Sequence, residues 1–127
     1  MTQNRPININ LLKIKLPLSA FLSITHRISG ILIFFLVLPL SILAFSELTK
    51  NQDSFDNFMN MYHTNFGIKF GCIVLILIFQ YHIFAGIRHM LMDFHILNES
   101  LSSSYRSAVT TLVLFAINAL LTLWVML

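Results

Sequence analysis

The chain has 127 residues, 57% of them hydrophobic and only 10% charged, with a mean hydropathy of +0.79. That is too apolar for an ordinary soluble domain, in which about a quarter of the residues carry charge, and the excess lies in three blocks, as in a membrane protein. One cysteine, Cys72, excludes a disulfide framework and a Cys-held zinc or iron–sulfur cluster; no C-x-x-C-H run offers covalent haem attachment; and a net charge of +3 gives no sign of a nucleic-acid partner.

Residues 1–19 form a polar to mixed N-terminal arm with Arg5, Lys13 and Lys15. The first long apolar run follows Arg27 without a small-residue cleavage site, so no cleavable signal peptide is expected. Charge-free runs then cover 28–46, 70–87 and 107–127, which are 19, 18 and 21 residues long. About 20 apolar residues cross the hydrocarbon core as a helix. The pattern predicts one all-α membrane domain over 1–127, with transmembrane helices near 20–46, 65–92 and 104–127. Pro17 suits a first helical turn, and Pro39 should kink the first span. Residues 47–64 read as a polar loop with room for a short surface turn. The short 93–103 connection makes the second and third spans antiparallel neighbours.

Orientation follows from the basic residues. Arg5, Lys13, Lys15, Arg27, Arg88 and Arg106 flank one side, against Lys50 and Lys69 on the other. Six against two predicts the N-terminus inside and the C-terminus outside. Trp124 then falls near the outer interface, where Trp is enriched.

Two polar stripes interrupt the apolar spans. In SAFLSITHRISG, residues 19–30, Ser19, Ser23, His26, Arg27 and Gly30 share one helical face at 100° per residue. In YHIFAGIRHMLMD, residues 81–93, His82, Gly86, His89 and Asp93 follow at i, i+4, i+7 and i+11, again on one face. A glycine in each stripe lets a backbone or a flat ligand approach closely. Helix one leaves the inner side and helix two returns to it, so the stripes meet at one membrane face. His82 lies six residues before Arg88, about 9 Å deeper at 1.5 Å per residue.

Polar groups at that depth are costly and have partners. For His82 the partner is a packing hydrogen bond, a proton relay or a metal. It stands as the one deep histidine of the chain, with His26, His89 and His95 near the inner interface and His63 in the outer loop. A b-type haem with two axial histidines would therefore need a second subunit. Arg5, Lys13, Lys15 and Arg106 read as snorkelling anchors, and Arg88 as the charged end of its helix. Arg27 differs, because Ser23 lies one turn before it and His26 beside it. A guanidinium can pair with a haem propionate or polarise a quinone carbonyl, and a hydroxyl adds one hydrogen bond. A quinone needs an apolar slot with donors at its carbonyl oxygens, and Ser23 with Arg27 fits that need. Asp93 is either a helix end or a group tuning such a pocket. Asn118 in helix three suits an interhelical hydrogen bond.

The residues quoted resemble a known family. Arg5-Pro6, then Ser23 with His26-Arg27 and Gly30, then His82, Gly86, Arg88-His89 and Asp93 are similar to the hallmarks of the cytochrome b membrane-anchor subunit of succinate dehydrogenase, respiratory complex II. The likeness covers the whole chain and its three-helix plan. It departs after Arg5-Pro6, where NINLLKI replaces the S-P-H-L-x-I-Y of the mitochondrial form, as in the bacterial branch. The resemblance implies that His82 is one axial ligand of a single haem b, shared with a second small anchor subunit. It implies that Ser23 and Arg27 line the ubiquinone site, that His26, Arg27 and His89 lie near the haem propionates, and that flavoprotein and iron–sulfur subunits are partners. The location implied is the bacterial cytoplasmic membrane, with the mitochondrial inner membrane as the alternative. An anchor of a quinol:fumarate reductase and a non-redox structural or transport subunit are the rival readings.

Overall fold

The computed structural model describes residues 16–97 and 100–127; the N-terminal arm up to residue 15 lies outside the described residues. Helix α1 spans Leu18–Leu32 and passes through a π-helical segment, Ile33–Val37, into α2, Leu38–Lys50. Together they form one apolar span of 33 residues. Helices α3, Gln52–Thr64, α4, Phe66–Asp93, and α5, Leu101–Met126, follow. At 1.5 Å per residue α4 and α5 are each roughly 40 Å long, enough to cross an ~30 Å hydrocarbon core and enter both headgroup regions. All described elements are helical, and three spans are long and apolar enough to cross a membrane.

Local chemistry sets the boundaries. Pro17 caps α1 in an extended conformation, and its carbonyl accepts from the Ala20 and Phe21 N–H groups. Pro39 has no N–H to give Phe35, and its ring crowds that carbonyl. The backbone answers upstream, where the Leu38 N–H reaches five residues back to the Ile33 carbonyl and the turn widens. Asn51 breaks the chain in an extended conformation and accepts from Ser54 N at 2.8 Å. Asn65 does the same for α4, accepting from Gly67 N at 2.9 Å. His95 ends α4 in the left-handed region, φ 57°, and the Ile96 and Leu97 N–H groups fold back onto the Leu91 carbonyl.

The polar 47–64 segment is not a loop with a short turn. Helix α2 runs on to Lys50, and α3 occupies 13 residues. Phe55, Phe58, Met59 and Tyr62 repeat at i, i+3, i+4 and i+7, so α3 carries an apolar stripe despite its polar composition. It packs on α2 and α4. Tyr62 Oη donates to the Met126 carbonyl at 3.2 Å, and Lys69 Nζ donates to the Leu127 carbonyl at 2.9 Å. These bonds fix the end of α5 beside the start of α4.

Helix α4 is the middle helix, packed against both α1 and α5. The seams are rich in small residues. Ser29, Ala85, Ser104, Ala108 and Thr111 are buried beside Leu22, Val37 and Ile73, whereas most large apolar side chains face outward. This is the inverse of a soluble core and the usual arrangement between membrane helices. Interhelical hydrogen bonds cross the seams. Gln80 Nε2 donates to Thr122 Oγ1 at 2.7 Å, the role expected of Asn118 one turn away, and Tyr81 hydrogen-bonds Thr25.

Arg88 is not the free charged end of its helix. It is 3% exposed, with Nε donating to Ser107 Oγ at 3.2 Å and Nη2 to the Ser104 carbonyl and hydroxyl at 3.2 and 3.3 Å. The guanidinium thus ties α4 to α5, on a different face of α4 from the histidines.

Candidate functional site

The two polar stripes meet where α1 crosses α4. His26 of α1 stacks on His82 of α4, ring centroids 4.3 Å apart and planes 15° from parallel. It also lies 5.0 Å from His89, tilted by 36°. One α1 imidazole therefore sits against two α4 imidazoles that are two turns apart. The sequence left His82 as the only deep histidine; the ring of His26 reaches it.

Glycines make this possible, and they do so reciprocally. A Cβ at Gly30 would lie 3.2 Å from His82 Cε1, and a Cβ at Gly86 would lie 3.1 Å from His26 Nε2. Each helix thus gives up a side chain where the other places an imidazole. The glycines serve ring-to-backbone approach, as one of the two uses expected from their position in the stripes.

The hydrogen bonds of His82 fix its ring. Nδ1 lies 2.9 Å from Ser29 Oγ, and that hydroxyl donates to the His26 carbonyl at 2.7 Å. His82 Nε2 makes no hydrogen bond among the described residues. Ser29 was given no role by the sequence, although it sits three residues after His26, on the same helical face. His89 Nε2 is buried and has no hydrogen-bond partner among the described residues. An open cavity of about 470 Å³ runs along this face of α4, lined by His26, His82, Gly86, His89, Met90 and Asp93.

Ser23 and Arg27 stand apart from that cavity. Ser23 is half-buried and Arg27 exposed on α1, and neither side chain hydrogen-bonds another described residue. Asp93 is exposed one turn beyond His89, at the mouth of the cavity. Among the described residues no three His, Cys, Asp or Glu side chains are grouped to hold a bare metal ion. What the site offers is one imidazole, His82, whose ring is held by a hydrogen bond at Nδ1, a second imidazole, His89, with a buried and unpartnered Nε2 among the described residues, and an open slot lined by both.

Fold and site together define a multi-pass membrane protein that gathers imidazoles between two of its spans. Residues 1–124 match the family model described as the succinate dehydrogenase/fumarate reductase transmembrane subunit, and the chain belongs to that family. It is similar to the succinate dehydrogenase cytochrome b556 subunit of Coxiella burnetii, 38% identical over 93 residues that cover 73% of this chain and 74% of the relative. It is also similar to the succinate dehydrogenase cytochrome b560 subunits of Reclinomonas americana and Porphyra purpurea. These are 36% identical over 97 residues, covering 73% of this chain and 67% of the relative, and 33% identical over 115 residues, covering 87% and 88%.

Proposed function

We propose that this chain is the haem b-binding membrane anchor of a succinate:ubiquinone oxidoreductase. Its chemistry is to hold one haem with a second anchor subunit, to help form the quinone-reducing site, and to dock the flavoprotein and iron–sulfur subunits. The observation that carries this reading is His82, whose Nδ1 is engaged by Ser29 while Nε2 has no hydrogen-bond partner among the described residues and the ring lines the cavity. A metal-binding imidazole has this form: one nitrogen held by a hydrogen bond, the other free for the metal. The residues present therefore fit a haem, with His82 Nε2 as one axial ligand. His26 and His89 would lie near the haem propionates, and Arg27, next to His26 on α1, supplies a charge suited to one of them. When bound, the haem supplies a one-electron store beside the quinone.

For the quinone, Arg27 gives fixed positive charge and Ser23 a hydrogen bond, one turn apart on α1. Such donors favour the charge that develops on a carbonyl oxygen during reduction. Asp93, exposed near the same end, is suited to tune that site or its proton supply. The basic residues support this end facing inward, where the soluble dehydrogenase subunits would dock, with the C-terminus outside. The membrane in this reading is the bacterial cytoplasmic membrane, with the mitochondrial inner membrane as the alternative. The names of the relatives favour succinate oxidation over fumarate reduction. A non-redox structural subunit would have little use for two imidazoles seated on reciprocal glycines with a third beside them.

The test is optical. The purified assembly should give a reduced-minus-oxidised b-haem spectrum, and His82→Ala should abolish or alter it. An unchanged spectrum in that variant would remove His82 as a ligand.

A further inference from the structure

The proton positions around His82 are fixed by geometry. Ser29 Oγ lies 2.7 Å from the His26 carbonyl, three residues back on its own helix, and a carbonyl only accepts. The single hydroxyl proton of Ser29 is therefore committed to that bond. The 2.9 Å contact between Ser29 Oγ and His82 Nδ1 must then run the other way, with Nδ1–H donating to a serine lone pair. A neutral imidazole has one N–H, so Nε2 is left bare. Ser29 is itself buried at the α1–α4 seam, so water competes poorly for the bond. The backbone of α1 is thus wired through one hydroxyl to the tautomer of a side chain on α4.

We propose that Ser29 is a positioning residue that holds His82 in the Nδ1–H form, aims Nε2 at the iron, and lowers the haem's midpoint potential. This rests on the haem reading of His82. The direction follows from charge. Donation from Nδ1–H leaves more electron density on the imidazole, which favours the more positive ferric iron over ferrous iron. Loss of such an outer hydrogen bond costs a metal site roughly 10–100-fold in affinity. At the lower end, with the loss falling on the ferric form, Ser29→Ala changes the ferric-to-ferrous ratio about tenfold at a fixed potential, which is about 59 mV for one electron.

The experiment uses the assembled complex. A redox titration of the b-haem band should show the Ser29→Ala midpoint shifted upward by about that amount, and haem transfer to excess apomyoglobin should be faster. Ser29→Thr, which keeps the hydroxyl, should restore both. A potential and a haem-loss rate unchanged in Ser29→Ala would overturn the proposal, as would a shift that Ser29→Thr fails to reverse. A proton–nitrogen spectrum of the ¹⁵N-histidine-labelled, reduced complex reads the same bond with or without haem. The His82 Nδ1–H should exchange slowly in wild type and Ser29→Thr, and quickly in Ser29→Ala. An unprotonated Nδ1 in wild type overturns the role of Ser29 even if His82 ligates haem. A complex without haem, but with a protected Nδ1–H, overturns the functional reading and leaves the serine–histidine bond standing.

Discussion

Replacing Gly86 by alanine sets two opposed terms against each other on one helix. Alanine is favoured over glycine in a helix interior by about 1 kcal/mol. At Gly86 the new Cβ would lie 3.1 Å from His26 Nε2, so the ring must retreat by a few tenths of an ångström. His26 cannot do so freely, because it is stacked on His82 at 4.3 Å and faces His89 at 5.0 Å. Overpacking of this kind costs about 1–3 kcal/mol, so the net effect runs from nearly neutral to about 2 kcal/mol destabilising. Gly71, also inside α4, has nothing within 4 Å of its added Cβ. Gly71→Ala should therefore show the propensity gain alone. The difference between the two variants, about 1–3 kcal/mol, isolates the cost of crowding His26. The assay is detergent-induced unfolding of the assembled complex, followed by loss of α-helical circular dichroism, with the haem spectrum recorded on the same samples. Gly86→Ala should also perturb that spectrum, and Gly71→Ala should not. If the two variants agree within about 0.5 kcal/mol and both spectra match wild type, the reciprocal seating of imidazoles on glycines is wrong.

Three further outcomes follow from the same structure. Arg88→Met keeps the stem but loses the guanidinium hydrogen bonds to Ser104 and Ser107, so it should cost about 1–3 kcal/mol, and Arg88→Ala, which also opens a cavity, about 2–4 kcal/mol in the same unfolding assay; wild-type stability in Arg88→Met would remove the guanidinium as an α4–α5 tie. Arg27→Leu should cut succinate-to-quinone turnover severalfold while leaving succinate oxidation by artificial dyes intact, and a quinone rate equal to wild type would take Arg27 out of the site. Asn51→Ala removes the cap of α3 at a cost of about 1 kcal/mol, so amides in its first turn should exchange roughly fivefold faster by mass spectrometry, and unchanged exchange would deny the cap its role.

How much of this is legible in the sequence depends on how local the determinant is. The three spans are local, written in charge-free runs of membrane-crossing length, and the helices end within a few residues of the expected positions. Helix α3 is masked by its polar composition, which reads as a loop, while its period, the stripe of Phe55, Phe58, Met59 and Tyr62, reads as a helix. Pro39 announced a disturbance, but the backbone relieves it upstream as a widened turn over Ile33–Val37, which no residue preference marks.

The site divides in the same way. The two stripes and their glycines were visible as helical faces, because three- and four-residue spacing fixes a face without any knowledge of the partner helix. What each stripe touches was not visible. His26 against His82, and Ser29 beneath Nδ1, depend on the rotation of α1 about its axis and its height against α4. Arg88 makes the point from the other side. Its partners, Ser104 and Ser107, lie 16 and 19 residues away, and only the register of the α4–α5 hairpin reveals that a residue resembling a topology anchor is a buried tie.

The central claim is that the α1–α4 crossing presents one imidazole nitrogen to a haem shared with a neighbouring anchor subunit. A density map of the purified, assembled complex tests it most directly. The account predicts a tetrapyrrole in the slot along His26, His82 and His89, its iron within bonding distance of His82 Nε2 and its opposite axial ligand from another chain. Acyl chains or a partner's side chains packed against His82, with the haem elsewhere or absent, would contradict it.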